Sequence, residues 1–224
     1  MTPAGPIRAA ALSVRGLTVS RGPDAVLTYP DFDLAPGTHL AVTGPSGTGK
    51  TTLLHVLAGL LIPDAGEVRY GGQSLGALTE AGRDAYRRRA VGYVFQDFHL
   101  MPGLSALENV ELALRVSGVA DPRDVARAAL TRLDLGHRLR HRPAELSTGE
   151  RQRVAIARAV AHNPGLLLVD EPTAHLDRER ARVALDLLRG AAQQQGATLI
   201  VVTHDPLVAQ DFGEQLHLNT AVTA

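Results

Sequence analysis

A chain of 224 residues, 45% apolar and 21% charged, has enough material for one or two domains with a sizeable core. Its 23 Lys and Arg residues balance 23 Asp and Glu, so no net basic charge marks it for nucleic acid or an anionic membrane surface. It has no cysteine, which excludes a disulfide framework and a thiolate metal site and fits a reducing cytosol.

The opening stretch MTPAGPIRAA lacks the apolar core of a signal peptide. The run LLHVLAGLLI is too short to span a bilayer and carries His55 and Gly59, so contact with a membrane is expected only through a partner. HLAVT (39–43) predicts a buried strand and KTTLLHVLAGL (50–60) a helix. EVRY (67–70) predicts a strand ending in the Gly71-Gly72 turn, and VGYVF (91–95) another short strand. The arginines at 87, 88 and 89 read as a solvated helix end rather than a binding patch.

From about 97 to 162 no strand pattern is evident. Ser105 with Glu108 makes a capping box for a helix over 106–115. Asp121-Pro122 predicts another helix, with Asp as N-cap and Pro at its first position. A third is predicted from about 149 to 162. LLLVD (166–170) and ATLIVVT (197–203) are continuous apolar runs, as in strands buried on both faces, with a helix over 178–195 between them. The alternation predicts an α/β chain with a mainly parallel sheet. A single domain over 1–224 is expected, with a helical insert at about 97–162.

GPSGTGKT, Gly44 to Thr51, fits G-x-x-x-x-G-K-[ST] with a strand before it and a helix after it. Gly44, Gly47 and Gly49 let the backbone curl so that its N–H groups point inward as an anion cradle. Pro45, Ser46, Thr48 and Thr52 complete the stretch expected to touch a nucleotide. Lys50 is the only lysine in the chain, while 22 arginines serve elsewhere. A compact ammonium reaches a β/γ-phosphate where a planar guanidinium does not fit, which accounts for the exception. Thr51 offers a hydroxyl to Mg²⁺.

Asp170 stands at the carboxyl end of a buried strand, where α/β sheets bind ligands, and suits Mg²⁺ held through water. Glu171 follows it and is placed to orient or deprotonate an attacking water. His204 ends the next apolar run at the same sheet edge and suits a γ-phosphate contact. A small-molecule kinase would share several of these parts. ELSTGERQRVAIARAV (145–160) decides between the two: Ser147, Thr148 and Gly149 lead straight into a helix, a second anion-binding N-terminus. One chain does not need two such sites for one γ-phosphate. Two chains placed head to tail use both.

Taken in this order, the motifs resemble those of the ATP-binding subunits of ABC transporters over nearly the whole chain. Gly44–Thr51 is similar to the Walker A loop, Gln96 in YVFQD to the Q-loop glutamine, and LSTGERQR to the signature motif. LLLVDEP resembles Walker B with the glutamate after it, AHLD (174–177) with Asp177 the D-loop, and His204 the switch histidine. FQDFHLMPGLSALENVEL further resembles the branch serving lipoprotein release, macrolide export and division-linked cell-wall control.

The resemblance implies a P-loop NTPase core with an N-terminal antiparallel β portion and a helical insert. It implies ATP and Mg²⁺, the metal near Thr51, Gln96 and Asp170, and catalysis by Glu171, His204, Gln96 and Lys50. Ser147, Thr148, Gly149 and Glu150 would act on the nucleotide of a second copy. The other implied partner is an integral membrane permease, with the chain peripheral on the cytoplasmic side of the cell membrane, and no nucleic acid. A regulatory or mechanical ATPase that moves no substrate is the rival reading.

Three motifs depart from the family pattern: the signature, the adenine-stacking position and the D-loop. Thr148 replaces the first signature glycine while Gly149 remains. Glu150 stands where many relatives have glutamine, although this branch often has glutamate. The residue that stacks on adenine falls on Arg21 in VSRGP, with Tyr29 as the alternative, and Ala174 opens the D-loop where Ser or Gly is usual. The apolar FHLMP (98–102) reads as a docking surface or as a locally buried loop.

Overall fold

A computed structural model of the chain describes residues 9–22, 25–173 and 178–219. The first part holds β1 (Leu12–Ser20), β2 (Val26–Thr28), β3 (Phe32–Leu34), β4 (His39–Thr43), α1 (Lys50–Leu57), β5 (Ala65–Tyr70) and β6 (Gln73–Ser74). Then come α2 (Glu80–Ala90), β7 (Val91–Val94), α3 (Ala106–Val116), α4 (Pro122–Arg132) and α5 (Thr148–Val160). The last part holds β8 (Leu166–Asp170), α6 (Arg178–Gln195), β9 (Thr198–Val202), α7 (Pro206–Gln210) and β10 (Glu214–His217).

The five strands β10-β4-β9-β8-β7 form one sheet, parallel throughout. Every residue of β8 and β9 is buried, and the reason is visible in which way each faces. Leu167, Val169, Leu199 and Val201 join the core formed with α3 to α7. Leu166, Leu168, Ile200 and Val202 join the opposite core, formed with α1 and a second sheet. That second sheet is antiparallel, in the order β2-β1-β5-β6, with β3 on the same edge of β1 as β2.

Between β7 and β8 the described residues hold no strand, only α3, α4, a 3₁₀ turn at Pro143–Glu145 and α5. Ser105 and Glu108 form the expected capping box on α3. Asp121 is the N-cap of α4 and Pro122 its first residue, as expected, but without a side-chain cap. Asp121 lies in the left-handed region (φ 49°, ψ 51°). Pro122 keeps its predecessor out of the right-handed conformation. The arginine run also differs in part: Arg88 and Arg89 are exposed at the end of α2, but Arg87 donates to Gly59 O at 2.5 Å and pairs with Glu80 and Asp84. Among the described residues no helix is long and apolar enough to cross a membrane.

Candidate active site

β4 delivers the chain to the loop 44–49, and α1 begins at Lys50. Two glycines in that loop are dictated by close approach. A Cβ on Gly44 (φ +146°) would lie 2.4 Å from Leu218 O. One on Gly49 (φ +89°) would lie 2.6 Å from both the Tyr29 hydroxyl and Leu27 Cδ1. Lys50 is buried, and its Nζ donates to Gly44 O at 2.8 Å and to Pro45 O at 3.0 Å. Two of the three ammonium hydrogens therefore close the loop on itself, and the third remains for an anion. Thr48 Oγ1 donates to the same Pro45 carbonyl at 2.9 Å.

The carboxyl ends of β8 and β9 meet this loop. Thr51 Oγ1 donates to Asp170 Oδ1 at 3.1 Å. Burial raises the Asp170 carboxyl above its ordinary pKa; the Thr51 hydrogen bond and the charges of His55 and Lys50 oppose that rise, while Glu171 adds to it. Glu171 takes a left-handed φ of 45° and its N–H donates to Val202 O at 3.0 Å, which turns the chain out of the strand. Its Oε2 lies 2.8 Å from His204 Nδ1 and accepts from the His204 N–H at 3.3 Å. A carboxylate only accepts, so Nδ1 carries the hydrogen and Nε2 is left for another group.

The second anion-binding terminus is α5. Ser147 Oγ accepts from Glu150 N–H at 3.3 Å. Glu150 Oε2 accepts from Ser147 N–H at 2.8 Å, and Oε1 accepts from Arg138 Nε at 2.7 Å. The Ser147 N–H and the Arg138 guanidinium hold the Glu150 carboxyl down at about 2. Thr148 Oγ1 accepts from Arg151 at 3.1 Å. At Gly149 an added Cβ would meet nothing within 4 Å among the described residues, so none of them calls for glycine there.

Gln96 is exposed. It lines a 360 Å³ cavity with Asp97, Phe98, Leu100, Thr148 and Arg151, and among the described residues no hydrogen bond joins it to Thr51 or Asp170. Arg21 is exposed too, its N–H donating to Ala25 O at 2.7 Å. Tyr29, by contrast, is 3% exposed, and its hydroxyl donates to Gly49 O at 3.0 Å. Burial pushes that hydroxyl up to about 12. Tyr29 braces the phosphate loop from beneath and offers no open face to a base. Ala174 and Asp177 lie outside the described residues.

Sequence reasoning missed several neighbours of the site. Gln152 donates to Pro172 O at 2.6 Å and ties α5 to the turn after Glu171. Tyr93 stacks on Phe95 at 4.2 Å, and Phe95 on His99 at 4.7 Å. A helical period (Gln152) or a strand period of two (Tyr93 and Phe95) places these side chains on a face but not against a particular partner. Between α2 and α3 a groove of 640 Å³ is lined by Arg87, Arg88, Ala113, Val116 and Arg158, among others.

A phosphate loop, a Thr–Asp pair and a Glu–His pair on one parallel-sheet edge define a P-loop nucleotide hydrolase. The second helix N-terminus narrows the class, and the comparisons agree. Residues 27–174 match the family model for ABC transporter proteins, and the chain belongs to that family as an ATP-hydrolysing, ATP-binding subunit. The lipoprotein-releasing system ATP-binding protein LolD of Pseudomonas fluorescens is 44% identical over 207 residues, 91% of each chain. Its counterpart in Pseudomonas syringae pv. tomato is 45% identical over 215 residues, 93% of this chain and 95% of that one. The fold is similar to the ATP-binding cassette MJ0796 in a dimeric post-hydrolysis state with ADP and Pi. There the TM-score is 0.83 and the identity 32%, over 95% of this chain and 98% of that one. A second dimeric structure of MJ0796, a bacterial ABC transporter cassette, gives a TM-score of 0.83 at 33% identity, over 93% and 94%.

Proposed function

We propose that two copies of the chain associate head to tail, each covering the other's ATP, and that the pair drives a membrane permease of the lipoprotein-release kind. The observation that carries the pairing is the Ser147–Gly149 terminus. Its first turn is capped by Ser147 and Glu150, and among the described residues nothing in its own chain requires glycine at 149. The MJ0796 cassettes are dimers, and the LolD relatives serve lipoprotein release.

In this reading Lys50 and the loop N–H groups hold the phosphates, and Arg21 lies against the base. Thr51 and Asp170 are oxygen donors 3.1 Å apart and fit Mg²⁺, with Gln96 joining them when the site closes. The ion supplies charge neutralisation on the β- and γ-oxygens. Glu171 accepts from the attacking water, and His204, steadied through Nδ1, turns Nε2 toward the γ-phosphate. Ser147, Thr148, Gly149 and Glu150 of one copy close over the phosphates of the other. Residues 1–224 act as one ATPase unit in which the helices of 97–162 face the permease. The groove beside Arg87, Arg88 and Val116 and the exposed Met101 form the docking surface at the cytoplasmic face of the membrane.

Co-purification from membranes tests this. A partner with few spans and a large extracytoplasmic domain is expected. A partner with many spans means a conventional transporter, and no membrane partner at all means that the proposal is wrong.

A further inference from the structure

Arg158 has no task in the chemistry above, yet its setting is unusual. Its guanidinium is partly buried on α5, and burial lowers its pKa. Among the described residues no carboxylate pairs with it. Instead its two terminal nitrogens donate to His99 O and to Phe98 O, each at 2.6 Å. Those carbonyls belong to two consecutive residues in the left-handed region, Phe98 at φ 61° and His99 at φ 44°. Side chains of this size rarely adopt that conformation without outside support.

The same loop is held from its other end. The His99 ring stacks on Phe95, and Phe95 on Tyr93 of β7. Phe98 and Leu100 then line the cavity whose far wall is Thr148 and Arg151. The loop after Gln96 is thus clamped to α5 at Arg158 and rests against the first turn of the same helix. Thr148 and Arg158 are ten residues apart on one helix, about 15 Å, so the helix links the two as a rigid bar.

We infer that Arg158 is a positioning residue that couples the loop at 98–101 to the signature turn at 147–149. Removing the clamp frees two strained residues, opens the shared cavity, and loosens the turn that must meet the second nucleotide. A push on the loop from outside is passed along the same route. The effect on turnover rests on the proposed head-to-tail arrangement; the mechanical link does not.

Hydrogen exchange on the full nucleotide-free chain reads the link directly. The amides in question are bonded within their own turns: Phe98 N–H to Phe95 O, His99 N–H to Asp97 O, and Arg151 N–H to Ser147 O. Arg158→Gln is expected to speed exchange at least tenfold at 97–101 and also at 147–151, with 166–170 and 198–202 unchanged. Arg158→Lys, whose ammonium can serve both carbonyls, should restore both segments. In ATPase assays Arg158→Gln should lower kcat at least fivefold with KM for ATP within twofold. Faster exchange confined to 97–101, absent, or spread to 166–170 and 198–202 overturns the inference. So does a failure of the lysine to restore, or an unchanged kcat in a chain whose Glu171→Gln variant does form the ATP-dependent dimer. If the two segments move together but Glu171→Gln forms no ATP-dependent dimer, the pairing falls and the coupling stands.

Discussion

Glu171 and His204 lie just past the ends of adjacent strands, and Glu171 Oε2 meets His204 Nδ1 at 2.8 Å. The contact fixes the histidine tautomer and occupies one carboxylate oxygen, leaving the other to hold a water.

Glu171→Gln keeps the size of the side chain and a hydrogen bond to His204, so it should still bind ATP. It should lose about 10²–10⁴-fold in hydrolysis, the range of a general base. With no exit from the closed state, the variant should run as a dimer on gel filtration in Mg-ATP and as a monomer in ADP. Adding Ser147→Arg should abolish that dimer while the monomer still binds ATP. A dimer indifferent to nucleotide would remove the case for a shared site.

Lys50→Arg preserves charge but not shape. The ammonium is buried and already bonded to Gly44 O and Pro45 O, which leaves no room for a planar fork. ATP affinity or turnover should fall sharply, measured by nucleotide titration and steady-state assay. Wild-type values in this variant would refute the argument from shape.

With Tyr29 buried under the loop, Arg21 is the exposed candidate for contact with the base. A guanidinium stacks on any π-face, so GTP should compete with ATP within about tenfold, a difference of roughly 1.4 kcal/mol. A much larger ATP preference that survives Arg21→Ala would assign base recognition to another group.

Asp170 carries a raised carboxyl pKa because it is buried. The unfolded chain releases that proton first, so stability is lost as pH rises through the window between the ordinary and the raised value. Above that window the cost is fully present. Asp170→Asn removes it while still accepting from Thr51. Without nucleotide the variant should melt higher than wild type at pH 8, by roughly 2–4 °C for each ~1 kcal/mol relieved. The gain should shrink below the ordinary carboxylate range, and hydrolysis should be lost. A melting difference independent of pH would show that burial is not the cause.

The strands that carry the site were legible because burial on both faces turns β4, β8 and β9 into unbroken apolar runs. β1 was not. Its alternation breaks where the register shifts between Arg15 and Thr18. β2, β3 and β6 are only two or three residues long, and β10 is a polar edge. α2 shows no apolar stripe because it buries only Ala90. Within the site, the residues of the spaced motifs could be read from order alone. The roles of Tyr29, Arg138 and Arg158 could not, because each acts on a different element through a contact that no local pattern encodes.

β4, which launches the phosphate loop, is flanked by β9 and β10, and Leu218 presses against Gly44. Thr43 and its neighbour His217 are 174 positions apart. On the ribosome, therefore, the loop emerges early and waits with both sides of its strand bare until residues 198–218 follow. A premature stop before that point should leave a polypeptide that carries the whole motif but lacks the strands that hold the loop in shape.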